Sequence, residues 1–110
     1  MLGVLLGLLL ASGTPAELVG EYDGGQMEVA AGLELTADGH YRYAMSYGAL
    51  DEYAEGAWSA ADGHVELKAS KAETNYPDGG KPDHLILTID GKELTLDRFD
   101  RTLRFRKQGE

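Results

Sequence analysis

The chain alternates apolar and polar residues with period two, and the alternation is broken again and again by the dipeptide Asp-Gly. The dipeptide occurs five times, at Asp23-Gly24, Asp38-Gly39, Asp62-Gly63, Asp78-Gly79 and Asp90-Gly91. Alternation puts successive side chains on opposite faces of a strand. Asp-Gly suits a two-residue reversal, because both central residues of a type I′ turn need positive φ. Three of the five are flanked by alternating segments: Leu33-Glu34-Leu35-Thr36-Ala37 and Tyr41-Arg42-Tyr43, Trp58-Ser59-Ala60 and Val65-Glu66-Leu67, and Leu85 to Ile89 with Glu93-Leu94-Thr95-Leu96. The hairpins so predicted recur at spacings of 24 and 28 residues.

A first strand near Leu18 to Asp23 and a last near Thr102 to Arg106 bring the number to about eight. No segment beyond Ala16 keeps an apolar helical period over about 11 residues. The expectation is an all-β domain, an antiparallel up-and-down meander closed into a small barrel, since closure removes the adhesive edges of an open sheet. A two-sheet sandwich of the same meander is the alternative.

In such a meander the three flanked Asp-Gly turns share one end. The other end takes the connections Asp23 to Glu28, Tyr47 to Glu52, Ala69 to Asp83 and Asp97 to Arg101, all expected to be longer. Parity directs Leu33, Leu35, Tyr41, Tyr43, Met45, Trp58, Leu67, Leu87, Leu94 and Phe105 inward and leaves Glu34, Arg42, Glu55, Glu66, Lys68 and Arg104 outside. The inward residues at the tight end are large: Leu35, Tyr41, Trp58, Val65, Ile89 and Leu94. Those at the loop end include the small Ala31, Ala54, Gly56 and Ala69 beside Tyr22, Met45, Tyr47 and Leu85. This gradient predicts a modest cavity opening among the loops, or else a filled core in which the small residues permit curvature.

Gly20-Glu21-Tyr22, then Leu33-x-Leu35-x-x-Asp38-Gly39-x-Tyr41-x-Tyr43, Gly56-x-Trp58 and Val65-x-Leu67, resemble the small lipocalin-like β-barrel domains of exported bacterial proteins. The resemblance covers roughly Leu18 to Leu67. It implies a lipocalin-like barrel outside the cytoplasm, with a small ligand at its open end. Lipocalins proper are longer and carry Gly-x-Trp where this chain has Gly20-Glu21-Tyr22, which argues against a large apolar calyx.

Residues Met1 to Ala11 are apolar or glycine, and Ser12-Gly13-Thr14-Pro15-Ala16 follows. About 20 apolar residues are needed to cross a bilayer, so this run is too short. Thr14 and Ala16 fit a small-x-small cleavage rule. Residues 1–16 are therefore expected to be a signal peptide and residues 17–110 the barrel domain, exported to a periplasm or secreted, with no membrane span after processing. No Lys or Arg precedes the apolar run, and a short buried N-terminal helix is the alternative.

The chain has no cysteine, which excludes a disulfide framework, a thiolate metal site and a cysteine nucleophile. A net charge of −9 disfavours nucleic acid as a partner. Residues 17–97 carry −12 and residues 98–110 carry +3, so a basic last strand is expected to pair with acidic neighbours. His40, His64 and His84 all have outward parity. They fall at both ends of the barrel, so they cannot converge on one ion at about 2.1 Å. No serine sits in a Gly-x-Ser-x-Gly context, and the loop-end carboxylates, among them Asp51, Glu52, Asp78, Asp83 and Asp97, match no calcium-loop spacing and are expected to be solvated. The sequence thus points to no enzyme, no cofactor and no metal. It suggests a binding module whose small, partly apolar ligand contacts Tyr22, Tyr43, Met45, Tyr47, Ala54 and Tyr76. The other reading is a ligand-free envelope interaction module that meets a protein partner through its acidic loops.

Overall fold

The computed structural model describes residues 13–109. Eight strands follow in order: β1 (Gly20–Asp23), β2 (Val29–Leu35), β3 (His40–Tyr47), β4 (Leu50–Ala61), β5 (His64–Thr74), β6 (His84–Asp90), β7 (Glu93–Arg98) and β8 (Arg101–Lys107). Each pairs antiparallel with the next, and β8 returns to β1 through Tyr22↔Lys107 and Asp23↔Arg106. The expected up-and-down barrel is the observed fold. Short 3₁₀ turns cover Ala16–Leu18 before β1 and Pro77–Gly79 between β5 and β6.

Alternation works as a sorting rule along every strand. β3 buries Tyr41, Tyr43 and Met45 and exposes His40, Arg42, Ala44 and Ser46. The core joins these to Leu33, Leu35, Trp58, Val65, Leu67, Leu87, Leu94, Leu96, Leu103 and Phe105. The basic last strand also finds acidic neighbours: Arg104 bridges Asp90 at 2.9 Å and Glu93 at 2.8 Å.

The connections differ from expectation in three ways. Of the three flanked Asp-Gly dipeptides, only Asp62-Gly63 has both residues at positive φ, 54° and 80°; in the turns at Gly39 and Gly91 the aspartate is not left-handed. The turn after β3 is two residues, Gly48-Ala49, and that after β7 is Phe99-Asp100, so half of the expected long connections are tight. Third, the stretch from Ala69 to Asp83 is mostly strand. β5 runs to Thr74 and leaves nine residues, 75–83, as loop. A β-bulge makes this extension work: Glu55 faces Lys71 while Gly56 faces Ala69, so Ser70 is the extra residue. Beyond it the parity shifts by one, and Ala72 pairs with Ala54 and packs on the core.

The expected leader, residues 1–16, lies largely outside the described residues. Its last four residues are described, and they rest on the barrel: Gly13 exchanges hydrogen bonds with Ala60 on β4 (N→O 3.1 Å and 2.7 Å).

Candidate functional sites at the two ends of the barrel

The end that carries the β2–β3, β4–β5 and β6–β7 turns is the tight end, and the other is the loop end. Tyr43 crosses the middle of the barrel and meets Phe105 with ring centroids 6.5 Å apart. Towards the loop end Ala54 is fully buried, and Met45 is buried one strand pair further on. The next inward position of β4 is Glu52.

Glu52 is a correction to the sequence reading, which placed it among solvated acids. Its parity is that of Ala54 and Trp58, and its side chain is 0% exposed. A buried carboxylate must be paired and hydrogen-bonded. Glu52 is both. Arg98, at the end of β7, donates from Nε to Oε2 at 3.0 Å and from Nη2 to Oε1 at 2.6 Å, and the Tyr43 hydroxyl donates to Oε2 at 2.6 Å. Burial, with the Glu52 carboxylate as acceptor, drives the Tyr43 hydroxyl far above the ordinary tyrosine range. The hydrogen bond to Glu52 likewise raises the Arg98 guanidinium. The space the small residues open is filled by this polar group.

The rim of the loop end is aromatic. Arg98 lies over the Phe99 ring and Arg101 over the Tyr47 ring, each 4.4 Å from the centroid. Arg101 also donates to the Tyr47 hydroxyl at 2.9 Å. Gly79 sits between the rings of Tyr76 and Phe99, so close that a Cβ there would lie 2.8 Å and 3.0 Å from them. Arg98 Nη2 reaches the Gly80 carbonyl at 3.4 Å. Among the described residues, three of the four non-glycine residues with left-handed backbone, Glu28, Phe99 and Asp100, occur in the connections at this end.

A cavity with a partly apolar wall is at the opposite end. It measures about 550 Å³, within the range of small-ligand sites, and is open on one side. Leu18, Tyr22, Ala60 and Ile89 form its apolar wall, while Glu17, Asp62, Lys92 and Lys107 surround its mouth. Tyr22 faces this way because its hydroxyl donates to the Leu18 carbonyl at 2.8 Å. Room exists because β4 runs past the start of β3, where the register ends at His40↔Ala57, and beyond the bulky Trp58 the next inward residue of β4 is only alanine. Lys107 Nζ donates to the Glu17 carbonyl at 2.7 Å and so ties the rim to β8.

The six residues expected to line one site are therefore divided. Tyr43, Met45 and Ala54 share the barrel interior with Glu52, Tyr47 supports Arg101 at the rim, Tyr76 stands 53% exposed on the 75–83 loop, and Tyr22 belongs to the tight-end cavity. Ile89 is an inward residue by parity, whereas Arg98 carries no signal beyond its charge. His40, His64 and His84 are exposed, and no group of three or more metal-ligating side chains occurs among the described residues. Comparison with protein-family models, with curated proteins and with solved structures gives no match, so the functional reading rests on the geometry of these two ends.

Proposed function

We propose that the chain is an exported binding barrel that takes a small, partly apolar ligand in the tight-end cavity. The observation that carries this reading is an apolar wall of Leu18, Tyr22, Ala60 and Ile89 beneath a charged mouth, in a space of about 550 Å³. Tyr22 supplies an aromatic face, and Lys92 offers an ammonium group to a polar substituent. Export is supported by the apolar run before Ser12 and the small residues after it. Among the described residues no helix is long and apolar enough to cross a membrane. The reading is of binding without a reaction.

Titration with 1-anilinonaphthalene-8-sulfonate, an aromatic anion of suitable size, tests the cavity. The native barrel is expected to bind it with enhanced, blue-shifted emission. Ala60→Trp, which fills the cavity from its wall, should abolish that signal and leave the β-rich circular dichroism intact. Equal emission from the two proteins would remove the cavity as the seat. A second reading, a protein interaction module, is favoured by Met27 and Tyr76, which are 81% and 53% exposed on connections of the loop end.

A further inference from the structure

We propose that the loop end holds a second, independent seat, specific for a small alkylguanidinium cation and occupied in cis by Arg98. The chain shows what this end accepts. Glu52, the one buried carboxylate among the described residues, receives a guanidinium through two N–H donors, at 3.0 Å and 2.6 Å, while Tyr43 satisfies a further lone pair. Both aromatic faces of the rim that receive a cation, Phe99 and Tyr47, receive a guanidinium, each at 4.4 Å. Bidentate pairing and aromatic stacking are the two contacts that set a guanidinium apart from an ammonium. Around them the connecting segments and flanking strand ends carry Glu28, Asp51, Asp78, Asp83, Asp97 and Asp100 on a chain of net charge −9, a field that draws a cation in.

With Arg98 in place or with a ligand guanidinium in its stead Glu52 is paired, so the two end states carry the same desolvation of a buried carboxylate. What must move is the β7–β8 turn. Its two residues, Phe99 and Asp100, hold φ of 53° and 60°, a left-handed conformation that crowds the Cβ of an L-residue. Strain retained at such a position is a mark of a functional turn. Arg98 also touches the loop at Gly80, so its release removes one tie on the 75–83 segment.

Agmatine, a primary amine bearing one alkylguanidinium, is the probe, read by amide NMR of the full chain. Native protein should show saturable shifts at Glu52, Arg98 and Gly80 at millimolar agmatine. Arg98→Ala should bind at least tenfold more tightly and gain thermal stability on binding; Arg98→Lys, which keeps a cation and loses the fork, should lie between the two. Adding Glu52→Gln to Arg98→Ala should abolish the effect. Putrescine and sodium chloride at equal ionic strength should reproduce none of it. The proposal falls if the native protein shows no saturable shift, even where Arg98→Ala responds, because Arg98 is then a fixed structural partner. It falls equally if the salts match agmatine.

Discussion

Tyr41 is 1% exposed, and its hydroxyl has no hydrogen-bond partner. An unpaired buried hydroxyl costs about 1–3 kcal/mol, and the ring is retained because it fills the barrel between β3 and β5. Desolvation, with the Asp83 charge as the lesser cause, pushes its pKa up to about 12. With the folded value above the unfolded one, the stabilisation is complete below pH 10 and is lost as pH rises towards 12. In that window the unfolded chain sheds the proton and the folded chain keeps it, so stability falls by about 1.4 kcal/mol per pH unit for each such tyrosine. Tyr43, raised for the same first reason, steepens the fall. Tyr41→Phe is expected to raise stability at pH 7 by about 1 kcal/mol and to flatten the decline between pH 10 and 12, both measured by urea unfolding. A variant no more stable than the native chain at pH 7 would show that the hydroxyl is satisfied. At this scale the sequence was legible wherever parity and polarity agree, as at Tyr41, Tyr43 and Leu87. It misled at Glu52, where parity alone was right. The partner that makes burial tolerable comes from a strand 46 residues away, and no local pattern announces it.

Strand identity and order could be read from the alternation, because one buried face specifies register strongly. Connection lengths could not. Gly48-Ala49 and Phe99-Asp100 turn in two residues without Asp-Gly, and the extension of β5 depends on one extra residue at Ser70, which period two cannot foresee. The bulge explains Gly56. A Cβ there would lie 2.1 Å from the Lys68 carbonyl oxygen and 2.7 Å from the Ser70 amide nitrogen, both backbone atoms that cannot yield without breaking the β4–β5 ladder. Gly56→Ala is therefore expected to cost about 3 kcal/mol or more, above the usual range for a single added methyl. The loss should appear as a lower urea midpoint, with amide exchange quickened first around Lys68 to Ala72. Gly48, a turn glycine with open space around it but φ of 61°, is the contrasting position. Its alanine variant bears only the left-handed backbone cost of roughly 1–2 kcal/mol. Equal losses at the two sites would contradict the steric account of the bulge.

As a whole the barrel is unevenly closed. β4 and β5 share a ten-pair register and form the firmest part of the wall, whereas β1 meets β8 through only two pairs. Further ties reinforce the thin seam: Lys107 Nζ to the Glu17 carbonyl, Arg106 Nη2 to the Gly25 carbonyl at 3.4 Å, and the backbone N–H of Gln108 to the Glu21 carbonyl at 2.7 Å. The tight-end cavity lies against this seam, since Tyr22 and Lys107 are both a seam pair and part of its lining. Local opening follows the regions with fewest buried contacts and backbone pairs. Amides of Tyr22, Asp23, Arg106 and Lys107 should thus exchange well ahead of Trp58 and Leu67, which open only with the whole fold. A ligand seated on Leu18, Tyr22 and Ile89 binds only the closed seam, and stabilises it by RT ln(1 + [L]/Kd), about 2.7 kcal/mol at a hundredfold excess over Kd. It should therefore slow seam exchange by up to about a hundredfold. An agmatine cation bound at the opposite mouth should instead act first on Gly80 and Arg98. Protection confined to the loop end on addition of the anilinonaphthalene probe would place that ligand among the loops and refute the tight-end seat.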